Sequence, residues 1–182
     1  MPDSFSADGL RRIRRLAWVV RLLCLLGVVV IGTLPFIFWA DAVWVTEVAA
    51  RTWNLGRVQL DLGSRLWGLA ASLLPTSASL FALWQMWSLF GCFADGELLA
   101  RRPAQHLRRL GLGLCALAAA QPLSHTLAIL ALTWGNPKGE RQLWLGLTGD
   151  HYLALLFGLL LLALAQVLHE AARVADENAE FI

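Results

Sequence analysis

Four long apolar runs separated by short polar segments dominate the chain. The first extends over residues 16–40 and is interrupted by one charge, Arg21; the others cover 66–93, 110–134 and 152–168. About 20 predominantly apolar residues in a helix cross the hydrocarbon layer of a bilayer, so each run with its flanks is long enough. None shows the two-residue alternation of a membrane β-barrel strand. The pattern predicts an all-α integral membrane protein. One membrane domain, 1–182, forms a four-helix transmembrane bundle with a C-terminal cytoplasmic helical extension at 169–182. Pro75 and Pro122 lie inside runs and predict kinks, since neighbouring helices can satisfy the carbonyls a proline frees.

The segments between runs carry further pattern. Residues 41–65 mix Asp41, Glu47, Arg51, Arg57, Asp61 and Arg65 with apolar positions, and Ala42 to Leu55, with Trp44 and Trp53, predicts a short interfacial helix. Ala40-Asp41-Ala42 after a basic segment and an apolar run resembles a signal-peptide cleavage site. Signal peptides have apolar cores of about 7–15 residues, and the longer run favours an anchor.

Composition agrees. Of 182 residues, 58% are hydrophobic and 15% charged, and the mean hydropathy is +0.59. Soluble domains carry about 25% charged residues, and a chain this small has too little interior to hide the excess apolar surface. The net charge of +2 gives no basis for nucleic-acid binding. Cys24, Cys92 and Cys115 have no C-x-x-C spacing and are expected to be reduced packing residues on the cytoplasmic side.

Orientation follows from the cations. Arg11, Arg12, Arg14, Arg15, Arg21, Arg101, Arg102, Arg108, Arg109 and Arg173 fall on one side; Arg51, Arg57, Arg65, Lys138 and Arg141 fall on the other. The side richer in Lys and Arg faces the cytoplasm, so both termini are expected inside. Trp39, Trp44, Trp67, Trp134, Trp144 and Tyr152 would then sit at the outer interface, and Trp18 and Trp87 near the inner one.

Polar groups in hydrocarbon are costly and mark candidate sites. Gln121, Ser124 and His125 share a face of the third helix; Ser72, Thr76 and Ser79 share one of the second. Thr76 and His125 lie at matching depths, roughly 13 Å from the outer interface at the helical rise, with Thr33 at roughly 10 Å. Two readings stand. These residues form an outward-opening cavity with His125 as ligand or proton group, or they are interhelical packing, with hydrogen bonds worth about 0.6 kcal/mol each. Gly111-Leu112-Gly113 reads as close packing.

At the inner side, Asp95-Gly96-Glu97 predicts a turn and Pro103 a helix start. Arg101, Arg102, Arg108 and Arg109 then lie at headgroup level, as a positive-inside anchor or an anionic-lipid contact. The tail sets Ala171, Ala172, Ala175 and Ala179 opposite His169, Glu170, Arg173, Asp176, Glu177 and Glu180. An acidic face of this kind suits docking on the inner loop, or on a basic partner, better than lying on the membrane.

A resemblance enters through Phe93-Ala94-Asp95-Gly96-Glu97, His106-Leu107-Arg108-Arg109-Leu110-Gly111, Thr133-Trp134-Gly135-Asn136-Pro137 and the terminal helix ending Asn178-Ala179-Glu180-Phe181-Ile182. From about Leu66 onward the chain resembles a bacterial membrane family of unknown function, DUF2975. It departs from that pattern at Leu98-Leu99 and at Ala104-Gln105. The resemblance implies four spans in a bacterial plasma (inner) membrane and transfers no catalytic residue.

No H-E-x-x-H, Gly-rich phosphate loop, G-x-S-x-G or intramembrane acid pair occurs. The expectation is a non-enzymatic multi-pass membrane protein, a sensor or regulatory subunit without cofactor or metal. Its expected partners are the lipid bilayer and a cytoplasmic protein or a second copy, and no nucleic acid. The alternative is an oligomeric small-solute carrier or channel; a lipid-directed enzyme ranks below both.

Overall fold

The computed structural model describes residues 3–56, 58–97, 100–137, 141 and 144–179. Five helices make up most of it: α1 (Asp3–Ala40), α2 (Ala42–Arg51), α3 (Leu62–Ala94), α4 (Arg101–Thr133) and α5 (Gly149–Ala179). All except α2 are long and apolar enough to cross a membrane. They extend beyond the apolar runs because polar flanks continue the same helix. The basic segment before residue 16 is the first part of α1, and the tail is the last part of α5.

Helix ends explain the boundaries. The Asp41 carboxylate accepts the N–H groups of Val43 at 2.9 Å and Trp44 at 3.1 Å, an N-cap that opens α2 directly after α1 stops. Asp61 caps α3 by accepting from the Ser64 N–H at 3.1 Å. Hydrogen bonding from Ser64 holds the Asp61 carboxyl below the usual carboxylate range. A folded value below the unfolded one makes the cap's contribution complete at neutral pH, and it is lost as acid protonates the carboxylate. A helix leaves its last carbonyls without helical partners. For α1 they are met by Arg65, whose Nε donates to Trp39 O at 2.8 Å and whose Nη2 donates to Ala40 O. For α4 one is met by Gln59, whose backbone N–H donates to Leu132 O at 3.0 Å, while its side chain donates to Gly135 O, just past the helix, at 3.0 Å.

The bundle is open. α1 packs on α3, α3 on α4 and α4 on α5, and among the described residues α1 and α5 do not meet. Neighbours run antiparallel: Arg21 meets Trp87 and Gly27 meets Leu83 across α1 and α3, Gly113 meets Ala82 across α3 and α4, and Arg101 meets Asp176 while Gly111 meets Gly158 across α4 and α5. Trp39 Nε1 donates to Ser72 Oγ at 2.9 Å between α1 and α3, and His106 Nδ1 lies 2.9 Å from Gln85 Oε1 between α3 and α4. The end bearing both termini is called the near end, and the opposite one the far end. Close approach uses small residues, as it does where lipid removes the hydrophobic drive between helices. Gly111 faces Gly158 of α5, while Gly113 faces Phe81 and Ala82 of α3.

A conventional core exists at the far end alone among the described residues. Trp39, Val45, Ala49, Leu55, Ala128, Ile129 and Leu132 are buried together, where the linker after α2 folds over the end of α4. Trp39 therefore reaches the end that orientation predicts but is 3% exposed, serving helix packing, whereas Trp44, Trp67, Trp134, Trp144 and Tyr152 are exposed. Arg21 is held over the Trp87 ring at 4.3 Å and the Trp18 ring at 5.4 Å. This cation–π clamp between α1 and α3 adds to the snorkelling that a long stem allows.

Candidate functional site

A cavity of about 540 Å³ opens at the far end, lined by Thr52, Trp53, Asn54, Gln121, His125, Ile129, Trp144, Gly146, Thr148 and His151. Three parts of the chain build it. α4 supplies Gln121, His125 and Ile129 from one face. The segment after α2 supplies Trp53, whose ring meets His125 edge-on at 5.3 Å between centroids, and Asn54, which holds a left-handed backbone at φ 52°. Asparagine tolerates that conformation better than most residues. The third wall runs from Trp144 into the first turn of α5. It is tied to α4 by Thr126, whose hydroxyl lies 2.7 Å from Trp144 O and 2.9 Å from Pro122 O.

Hydrogen bonding sets the tautomer of His151. The Thr148 backbone N–H donates to His151 Nδ1 at 3.0 Å, and the Thr148 hydroxyl lies 3.2 Å from the same nitrogen. Nδ1 is thus an acceptor, and the neutral ring carries its proton on Nε2 as a donor.

Of the five intramembrane candidates, Gln121 and His125 share this cavity, and the others are placed elsewhere. Ser72 accepts from Trp39 and donates to Gly68 O at 3.0 Å; Thr76 donates to Ser72 O at 2.8 Å. Ser124 is buried on α4 and is not in the lining. Ser79 and Thr33 likewise donate to carbonyls of their own helices at 2.8 Å. Hydroxyls engaged in this way suit packing. Sequence reasoning missed Thr52, Trp53, Asn54, Trp144, Thr148 and His151. The readable signal was His151, a titratable residue one position before the fourth run.

At the near end, Arg101 Nε pairs with Asp176 of α5 at 3.1 Å, and Arg102 lies 3.8 Å from Glu97. Arg108 and Arg109 are exposed on α4. Arg173 engages its own helix, Glu170 at 2.8 Å and Glu177 at 2.7 Å. Among the described residues the tail thus reaches the start of α4 through one exposed ion pair. Glu180 and Leu98-Leu99 lie outside the described residues, as do Arg57 and Lys138. Among the described residues no three His, Cys, Asp or Glu side chains gather as a metal site, and the three cysteines are free.

No curated protein and no solved structure matches the chain. Residues 39–182 match the family described as a protein of unknown function, DUF2975. The match begins well before Leu66, taking in the linker wall of the cavity and all of α2, α3, α4 and α5. The chain belongs to the DUF2975 family of unknown function.

Proposed function

We propose that this is a non-enzymatic multi-pass protein of the bacterial inner membrane, with cytoplasmic termini, acting as a sensor or regulatory subunit. One observation carries the reading: α4 and α5 each contribute to both ends. α4 carries Gln121 and His125 at the far-end cavity and Arg101 at the near-end ion pair. α5 carries His151 at the cavity and Asp176 at the ion pair. A change in how the two helices meet at the cavity is thereby felt at a pair that contributes only about 0–1 kcal/mol, because it is exposed. A contact that weak is readily displaced by a cytosolic partner or by salt. Arg108 and Arg109, exposed beside it, suit an anionic headgroup or an acidic partner surface.

Spin labels at Gln105 and Val174, both exposed, are expected to report a short separation at low salt that lengthens at high salt. His151→Ala should shift that distance distribution by altering α5 at the cavity. A distribution indifferent to every cavity substitution would rule out the sensor reading.

Topology is checked separately. A cysteine at Leu147, 76% exposed at the far end, should be modified by an impermeant reagent on intact cells. One at Glu177 should react after lysis alone; labelling at Glu177 in intact cells would overturn cytoplasmic termini.

The open row supports a second reading. Among the described residues a single chain encloses no lumen, and both faces of the row are available to another copy, as an oligomeric small-solute carrier or channel requires. That reading expects flux into liposomes that depends on His125.

A further inference from the structure

The far-end cavity has a lining that selects its occupant. Among the described residues it contains two imidazoles, His125 and His151, two amides, Asn54 and Gln121, and two hydroxyls, Thr52 and Thr148. Among those residues it contains no carboxylate, lysine or arginine. The described charged groups on the surrounding elements are engaged elsewhere or lie outside the lining. Arg51 pairs with Glu47 at 3.0 Å on α2, and Arg141 lies over the Trp134 ring at 5.3 Å. Asp41 and Asp61 cap helices, and Arg65 caps α1. Asp150, next to His151, is exposed in the first turn of α5.

A cation would find no counter-charge in such a lining, and burying an uncompensated charge is costly. An anion finds donors. His151 offers Nε2–H without taking up a proton, because its Nδ1 already accepts from Thr148. The amides of Gln121 and Asn54 are neutral donors. The amino-terminal end of α5 at the rim adds partial positive charge. The remaining requirement is one full positive charge, and His125 is the residue that can acquire it, since an anion seated against an imidazole favours its protonated form.

We infer that the cavity is a proton-linked oxyanion site, in which a carboxylate, sulfate or phosphate group binds between His125 as imidazolium and His151 Nε2–H. The proton balance is simple: one proton enters with the anion, moving from solvent to the free nitrogen of His125, and no covalent bond changes. The oxyanion belongs either to a soluble solute or to a lipid headgroup at the outer interface, both presenting the same chemistry. This inference rests on the sensor reading for its biological consequence, since it names the stimulus.

The test uses the full chain in zwitterionic nanodiscs, titrated calorimetrically with acetate and with sulfate, whose charges hardly change between pH 5.5 and 7.5. Affinity should rise as the pH is lowered from 7.5 to 5.5, by at most about tenfold per pH unit for the single proton taken up. His125→Gln should abolish that pH dependence. His151→Gln, which retains an oxygen to accept from Thr148, should weaken binding about tenfold at every pH and leave the dependence in place. Absence of binding for both anions, equal affinity across the range, or a wild-type profile in His125→Gln would each overturn the site.

Adding phosphatidylglycerol to the nanodisc separates the sources. Displacement of sulfate assigns the oxyanion to the lipid headgroup; unchanged sulfate affinity assigns it to a soluble anion. The Gln105–Val174 distance, measured with and without sulfate, separates this inference from the sensor reading. Binding without a change in distance removes the sensor and leaves the site. A distance that responds to His151→Ala in a protein that binds neither anion removes the site and leaves the sensor.

Discussion

Replacing Gly158 with valine should unseat α5 from α4 and lower stability by about 2–3 kcal/mol, the upper part of the range for overpacking. A Cβ there would lie 2.6 Å from Cys115 Sγ, 3.0 Å from the Cys115 backbone nitrogen and 3.0 Å from Gly111 O. Two of those atoms are backbone, so relief requires moving a helix rather than a rotamer. Gly111→Val offends the same crossing, with its Cβ 2.8 Å from Gly158 O. The double variant should therefore cost less than the two single effects added, since each has already opened the gap the other needs. Gly32→Val is the control, because nothing lies within 4 Å of a Cβ at that position. Thermal unfolding in mild detergent measures all four proteins, and a Gly158→Val melt matching that of Gly32→Val would show that the crossing is not tight. Because α4 and α5 link cavity to tail, Gly158→Val should also lengthen the Gln105–Val174 separation.

The second large effect is expected at the α1–α3 junction. Trp39→Ala should destabilise by about 3–5 kcal/mol, the range for removing a large buried aromatic. The indole is 3% exposed within the far-end core, where neighbouring side chains rather than lipid would line the void. Gly68→Ala should also be costly, because its Cβ would fall on the Trp39 ring at Cη2 and Cζ2. Ser72→Ala tests the polar component alone and should cost about 0.6 kcal/mol, the average for a hydrogen bond between membrane helices. The ordering Trp39→Ala, then Gly68→Ala, then Ser72→Ala is the checkable content; a Ser72→Ala loss matching that of Trp39→Ala would mean the hydrogen bond, not packing, holds the junction.

Two of the ten residues that line the candidate site are legible before folding. Gln121 and His125 stand out because polar side chains are rare inside an apolar run and carry an energetic cost there. Thr52, Trp53, Asn54, Trp144 and Thr148 do not stand out, since polar and aromatic residues are ordinary between spans. The same limit hides Arg65 and Gln59. Each counts as an unremarkable interfacial residue until the carbonyls of α1 and α4 are brought beside it.

By itself the sequence determined the all-helical class, the four spans, the short α2 and the helical tail. These are local properties, set by run length, by the 3.6-residue period and by caps such as Asp41 and Asp61, which act within a few residues. Only the tertiary structure decided that the helices stand in an open row. It also separated Ser72 and Thr76 from His125, and it brought His151 into the same cavity as His125, 26 positions earlier in the sequence. Hydropathy says that a face avoids water, and in a membrane lipid satisfies that requirement as well as protein does. Which faces meet is settled instead by shape at Gly68, Gly111 and Gly158, and by a few long-range hydrogen bonds whose partners are far apart along the chain.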